Sequence, residues 1–170
     1  MKTLIFGFSR PIKPTLFAKA IMWSDKSNYD HCYIKWTNSV IQRDIYYQAS
    51  NLAVNFESNI SFLGHAIPVE EYELDVLDEV HAIIMRFCID NSNKPYGVIQ
   101  IVGDAYIKVC KILGFKVHNP FPSYGSTYVC SKIAASILQL AGIQITQPLD
   151  DVDPLDVNNI IKAAGLKKIL

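Results

Sequence analysis

Apolar and polar positions alternate or recur along the chain in ways that predict most of its elements. Leu4-Ile5-Phe6-Gly7-Phe8 is a short apolar run that fits a buried strand. Pro11 and Pro14 follow; Pro14 suits a first helical position, and Leu16, Phe17, Ala20 and Ile21 then share one helical face. The polar stretch 24–28 ends that helix. Residues 31–36 and a segment within 40–49 read as a hairpin about Asn38-Ser39. Leu52, Val54 and Phe56 alternate as in a third strand of the meander. In 69–76, Tyr72, Leu74 and Val76 fall on one face, with Glu71, Glu73 and Asp75 on the other. A helix over 78–91 carries the stripe Val80, Ile84, Phe87 and Cys88. The run 96–113 is apolar and long enough for a further helix, and 119–125 is a loop rich in Pro and Gly. Residues 128–140 form the clearest helix after that loop. The last helix has Asp153 as N-cap, Pro154 at its first position and Gly165 as its stop. Helix, meander and then helices is an α+β order.

Composition narrows the class. At 170 residues, 50% hydrophobic and 19% charged, the chain is expected to fold as a single domain over 1–170 with one sizeable core. Sixteen basic and sixteen acidic residues cancel, so no basic field gathers phosphates and nucleic acid is not the expected partner. No apolar run approaches the roughly 18–20 residues of a membrane span. The N-terminal apolar run is too short for a secretion signal, so a cytoplasmic, reducing location with free thiols is expected.

The four cysteines, Cys32, Cys88, Cys110 and Cys130, form no C-x-x-C pair and no metal-knuckle spacing, so no metal is expected. Cys130 differs from the others. It follows a loop, with Ser126 or Thr127 as candidate N-cap, and Ile133, Ala134, Ile137, Leu138 and Ala141 form the stripe behind it. A thiolate in a first turn is stabilised by unpaired backbone N–H groups and the helix dipole, and the same groups can hold an oxyanion. Cys32, Cys88 and Cys110 each lie inside an apolar strand or helix and read as small core side chains. A nucleophilic thiol needs a base. His31, His65, His81 and His118 are all available, and spacing alone does not choose among them.

A family resemblance does choose. Asp30-His31-Cys32-Tyr33-Ile34 resembles the His strand of circularly permuted NlpC-type, papain-like proteins. Tyr47-Gln48-Ala49 resembles their next, aromatic-Glu-Ala strand, and Tyr128-Val129-Cys130-Ser131-Lys132-Ile133-Ala134-Ala135 resembles their Cys helix. Lys94-Pro95-Tyr96-Gly97, Asn119-Pro120-Phe121 and Asp153-Pro154-Leu155-Asp156 match shorter stretches, so the resemblance spans roughly residues 8–165. It implies a permuted papain-like fold in which the Cys helix follows the sheet. It also implies Cys130 as nucleophile, His31 as base and Gln48 as the residue orienting the base.

Two departures stand out. Gln48 replaces an acid, so it can accept a hydrogen bond from the imidazole but brings no charge. Lys132 replaces a common Glu and is expected to face solvent. Tyr128, Tyr96 and Tyr124 are candidates to line the substrate site.

The implied activity is a cysteine peptidase or amidase acting through a thioester, with no metal or organic cofactor. Its substrate would be a peptide, an isopeptide or an acyl group, as in the related lecithin retinol acyltransferase-like proteins. A phage-encoded or virion-associated enzyme acting on cell-wall peptide fits that analogy. A papain-like binding or structural module with little turnover is the alternative, kept open by Gln48. The sequence leaves the oligomeric state undetermined.

Overall fold

A computed structural model describes residues 1–50, 53–97 and 128–170, with isolated positions between 103 and 120. The expected helix over 96–113 and the loop over 119–125, with Tyr124, lie largely or wholly outside the described residues.

The strands β1 (Lys2–Pro11), β2 (His31–Asn38), β3 (Arg43–Ser50), β4 (Ala53–Ser58), β5 (Ala66–Val76) and β6 (Lys167–Lys168) form one antiparallel sheet. Their order is β4-β3-β2-β1-β5-β6. The described helices are α1 (Leu16–Asp25), α2 (Asn59–Leu63), α3 (Asp78–Asp90), α4 (Cys130–Leu140) and α5 (Pro154–Ala163). The fold is mixed α+β, an antiparallel sheet packed against helices, with the Cys-bearing helix after most of the sheet in the chain.

Alternation along the strands divides the sheet into two faces. On one, Leu4, Phe6, Phe8, Cys32, Ile34, Tyr47, Val54 and Tyr72 form the main core. Ile84 and Cys88 of α3, Ile133, Ile137 and Leu138 of α4, and Val157 and Ile161 of α5 close over them. On the other face a smaller cluster joins Tyr33, Tyr46, Phe62 of α2 and Ala66. Gly7 is paired with Tyr33 on one side and Glu71 on the other. Because Gly7 has no Cβ, the Tyr33 ring crosses above it and donates its hydroxyl to Glu71 Oε1 at 2.6 Å; a Cβ there would lie 2.1 Å from Tyr33 Cζ. Lys35 completes this buried polar pair by binding both Glu71 oxygens, at 2.6 and 2.8 Å.

Several boundaries differ from the sequence expectation. Helix α1 starts two residues later: Thr15 is its N-cap, accepting from Ala18 N, and Pro14 precedes it. Leu16, expected on the buried face, stands at the first position of the helix and is 86% exposed. Asn38 does turn the hairpin, its side chain accepting from the N–H groups of Val40 and Ile41. Short α2 was not anticipated, since its capping residue Ser58 falls at the end of a strand pattern. The last helix is as read, with Asp153 and Asp156 in a reciprocal capping box and Gly165 at φ +73°.

Candidate functional site

Helix α4 begins at Cys130, with Val129 in the N-cap position and no side-chain cap. The expected caps Ser126 and Thr127 lie outside the described residues; the helix starts after Val129, which places Cys130 at the first position rather than further along the first turn. Ahead of it, Tyr128 is held by the 95–97 segment: its N–H donates to Pro95 O at 3.2 Å and its carbonyl accepts from Gly97 N at 3.0 Å. That anchoring holds the chain where the helix starts. It leaves the first-turn N–H groups without partners inside the helix.

His31 opens β2, opposite Ser9 of β1, and a register irregularity in the β1–β5 pairing falls between Phe8 and Ser9. Such a bulge re-aims the chain beside it. The Nε2 of His31 lies 2.7 Å from Gln48 Oε1. An amide oxygen only accepts, so Nε2 carries the proton of this bond. The His31 ring and the Cys130 thiol lie close enough to shift each other's titration, and with Nε2 engaged by Gln48 the ring nitrogen left for the thiol is Nδ1. Cys130 is 6% exposed and Gln48 1%.

The electrostatics of the thiols separate them clearly. Cys130 is held well below the ordinary thiol range, first by a hydrogen bond from the Cys32 thiol and then by the charge and hydrogen bond of His31, against the opposing effect of burial. His31 is raised; burial works against the imidazolium, and the Cys130 thiolate, the Gln48 bond and Asp30 outweigh it. Cys88, buried with no such partners, is pushed up to about 12. Cys32 is pushed up by burial and by Cys130 beside it. Asp30 is raised by burial first, and its Oδ1 is buried without a hydrogen-bond partner.

Three of the expected site residues, Cys130, His31 and Gln48, are therefore together. Tyr128 and Tyr96 are joined by a parallel backbone bridge. The Tyr128 ring packs edge-on to Phe87 at 6.3 Å, with the Lys94 and Lys132 ammonium groups 5.2 and 5.3 Å from its centre. Lys132 does not face solvent: it is 8% exposed and paired with Asp150 at 2.7 Å, since the first turn of α4 is covered by the segment 149–151.

Sequence reasoning missed Cys32, Asp30 and Glu57 as neighbours of the site. Cys32 sits in the core, as its apolar surroundings predict, and it also lowers the pKa of the Cys130 thiol. Glu57 accepts from Gln48 Nε2 at 2.5 Å, a contact that only the β3–β4 register creates. Of the remaining histidines, His118 pairs with Asp151 at 2.6 Å, and His65 Nδ1 donates to Ser61 O at 3.0 Å. Among the described residues, no group of three or more His, Cys, Asp or Glu is placed to hold a metal ion, and no helix is long and apolar enough to cross a membrane. Comparison with protein-family models gives no match for this chain, and neither does comparison with curated protein sequences.

Proposed function

We propose that this chain is a cysteine hydrolase, a peptidase or amidase of the permuted papain-like type, with Cys130 as nucleophile, His31 as acid and base, and Gln48 orienting the imidazole. One observation carries the reading. A thiol at the first position of a helix is electrostatically coupled to a histidine whose far nitrogen is held by a buried amide oxygen.

In this mechanism the proton of Cys130 moves to His31 Nδ1, and the sulfur attacks the carbonyl carbon of an amide or ester. The carbonyl oxygen becomes an oxyanion, held by N–H groups of the first turn of α4. As the oxyanion collapses, the C–N or C–O bond breaks and His31 returns its proton to the leaving group. A water molecule, deprotonated by His31, then attacks the thioester carbon. The C–S bond breaks, the acid leaves, and the proton passes from His31 back to sulfur. The substrate class is a peptide, isopeptide or acyl compound, including cell-wall peptide.

A binding or structural module with little turnover is the second reading, favoured by the low exposure of Cys130. Incubation with a panel of chromogenic amides and thioesters separates the two. Hydrolysis abolished by Cys130→Ala supports the enzyme; a folded wild type inert towards every substrate, with Cys130 unreactive towards small electrophiles, supports the module.

A further inference from the structure

The Gln48 amide has two ends, and which end faces His31 decides the chemistry. Its Oε1 lies 2.7 Å from His31 Nε2, and its Nε2 donates to Glu57 Oε2 at 2.5 Å. Gln48 pairs with Asn55 and Tyr46 with Glu57, so Glu57 is the diagonal neighbour of Gln48 on the same sheet face. Gln48 is almost fully buried, and the Glu57 side chain is 16% exposed. The carboxylate is itself held. Ser61 Oγ donates to Glu57 Oε1, and His65 Nδ1 lies 3.6 Å from the same oxygen. Ser61 is fixed in turn in the first turn of α2, where its N–H is capped by Ser58 Oγ at 3.3 Å.

A carboxylate accepts hydrogen bonds and offers none. It therefore compels the amide to turn its NH2 group towards Glu57 and its carbonyl towards the imidazole. A carbonyl facing Nε2 in turn compels His31 to carry its proton there in the neutral form, which leaves Nδ1 free to receive the thiol proton. With the amide reversed, an N–H would face Nε2, the proton would move to Nδ1, and the base would be blocked. Fixing the tautomer through the far nitrogen is how a third group makes a histidine an effective base.

We propose that Glu57 is a positioning residue of the Cys130–His31 site, locking the Gln48 amide and through it the Nε2–H tautomer of His31. The negative charge absent at Gln48 is thus present one bond further out. The catalytic meaning of this relay rests on the hydrolase reading; the tautomer lock itself does not.

The test reads both. In protein carrying Cys130→Ala, with 15N-labelled histidine, the ring nitrogens of neutral His31 are expected to report Nε2–H alone by long-range 1H–15N correlation. Glu57→Leu is expected to mix the two tautomers. In the Cys130-containing protein, the same substitution is expected to slow iodoacetamide alkylation of Cys130 at pH 7 at least about 10-fold, as lost base orientation requires. Glu57→Asp, which keeps an acceptor, is expected to recover part of both signals. If Glu57→Leu misfolds, the isosteric Glu57→Gln, whose amide can face either way, serves instead, again with mixed tautomers expected. A folded variant with the Nε2–H tautomer intact overturns the proposal. Cys130 alkylation insensitive to His31→Ala would instead strike the hydrolase reading, with the tautomer result still deciding the role of Glu57.

Discussion

His31 and Gln48 meet across two adjacent strands with 2.7 Å between Nε2 and Oε1, and this bond orients the imidazole without a carboxylate in direct contact. Removing it should be costly. Gln48→Leu keeps the volume but withdraws the acceptor, leaving a buried N–H unpaired. The Gln48 bond raises the His31 pKa, so its loss should lower it, which NMR titration of the ring reads directly. If the proposed hydrolase activity is present, it should fall about 100-fold, within the range general base catalysis supplies. An unchanged His31 titration would show that the bond does not govern the imidazole.

Cys32 is the leading cause of the low Cys130 pKa. Cys32→Ala removes the donor and should move the onset of Cys130 alkylation to higher pH, because a thiolate that loses a hydrogen bond becomes easier to protonate. Cys32→Ser retains a donor and should stay near the wild type. A pH–rate profile for each variant checks this; identical profiles for Ala and Ser would remove Cys32 from the account.

Gly7 tests the sheet beneath the site. An added Cβ would meet the Tyr33 ring at 2.1 Å, and that ring is fixed by its bond to Glu71 and buried beside Tyr46 and Phe62. Gly7→Ala should cost about 3 kcal/mol, lowering Tm by about 6–12 °C in a chain of this size. Thermal unfolding followed by circular dichroism reads the shift, and an unaltered Tm would mean that Tyr33 relocates freely.

The capping box of α5 is a local test with a smaller effect. Asp153→Ala removes the acceptor for Asp156 N at 2.8 Å and should cost about 1 kcal/mol. Asp153→Asn should cost less. Denaturant midpoints for the pair resolve the difference, and equal values for Ala and Asn would count against the cap.

Elements with a strong period were legible in the sequence: the β5 alternation, the α3 stripe and the capped α5 all stand where the pattern puts them. The start of α4 was misplaced because its position is set by backbone bonds from Pro95 and Gly97 to Tyr128, which are distant in sequence. Lys132 was misjudged for the same kind of reason, since its partner Asp150 arrives from a later segment. Within the site, Cys130 announced itself by standing at the start of an apolar helix after a loop, and His31 and Gln48 by a motif resemblance. Glu57 and Cys32 carried no such signal. Glu57 depends on strand register, and Cys32 looks like any core thiol until the α4 terminus is placed beside it.

The most direct test of the Cys130–His31 pair is the rate of iodoacetamide alkylation at each cysteine across pH, read by mass spectrometry in wild type and His31→Ala. Cys130 is lowered and His31 raised, so the thiolate–imidazolium pair should persist between the two values. Alkylation of Cys130 should therefore be fast and nearly flat through neutral pH, falling only in acid as the thiolate is protonated. Cys88, pushed up to about 12, should stay unreactive throughout. In His31→Ala the Cys130 profile should shift towards the ordinary thiol value of about 8.5. A Cys130 that reacts no faster than Cys88 at pH 7, or whose profile ignores the loss of His31, would contradict the account.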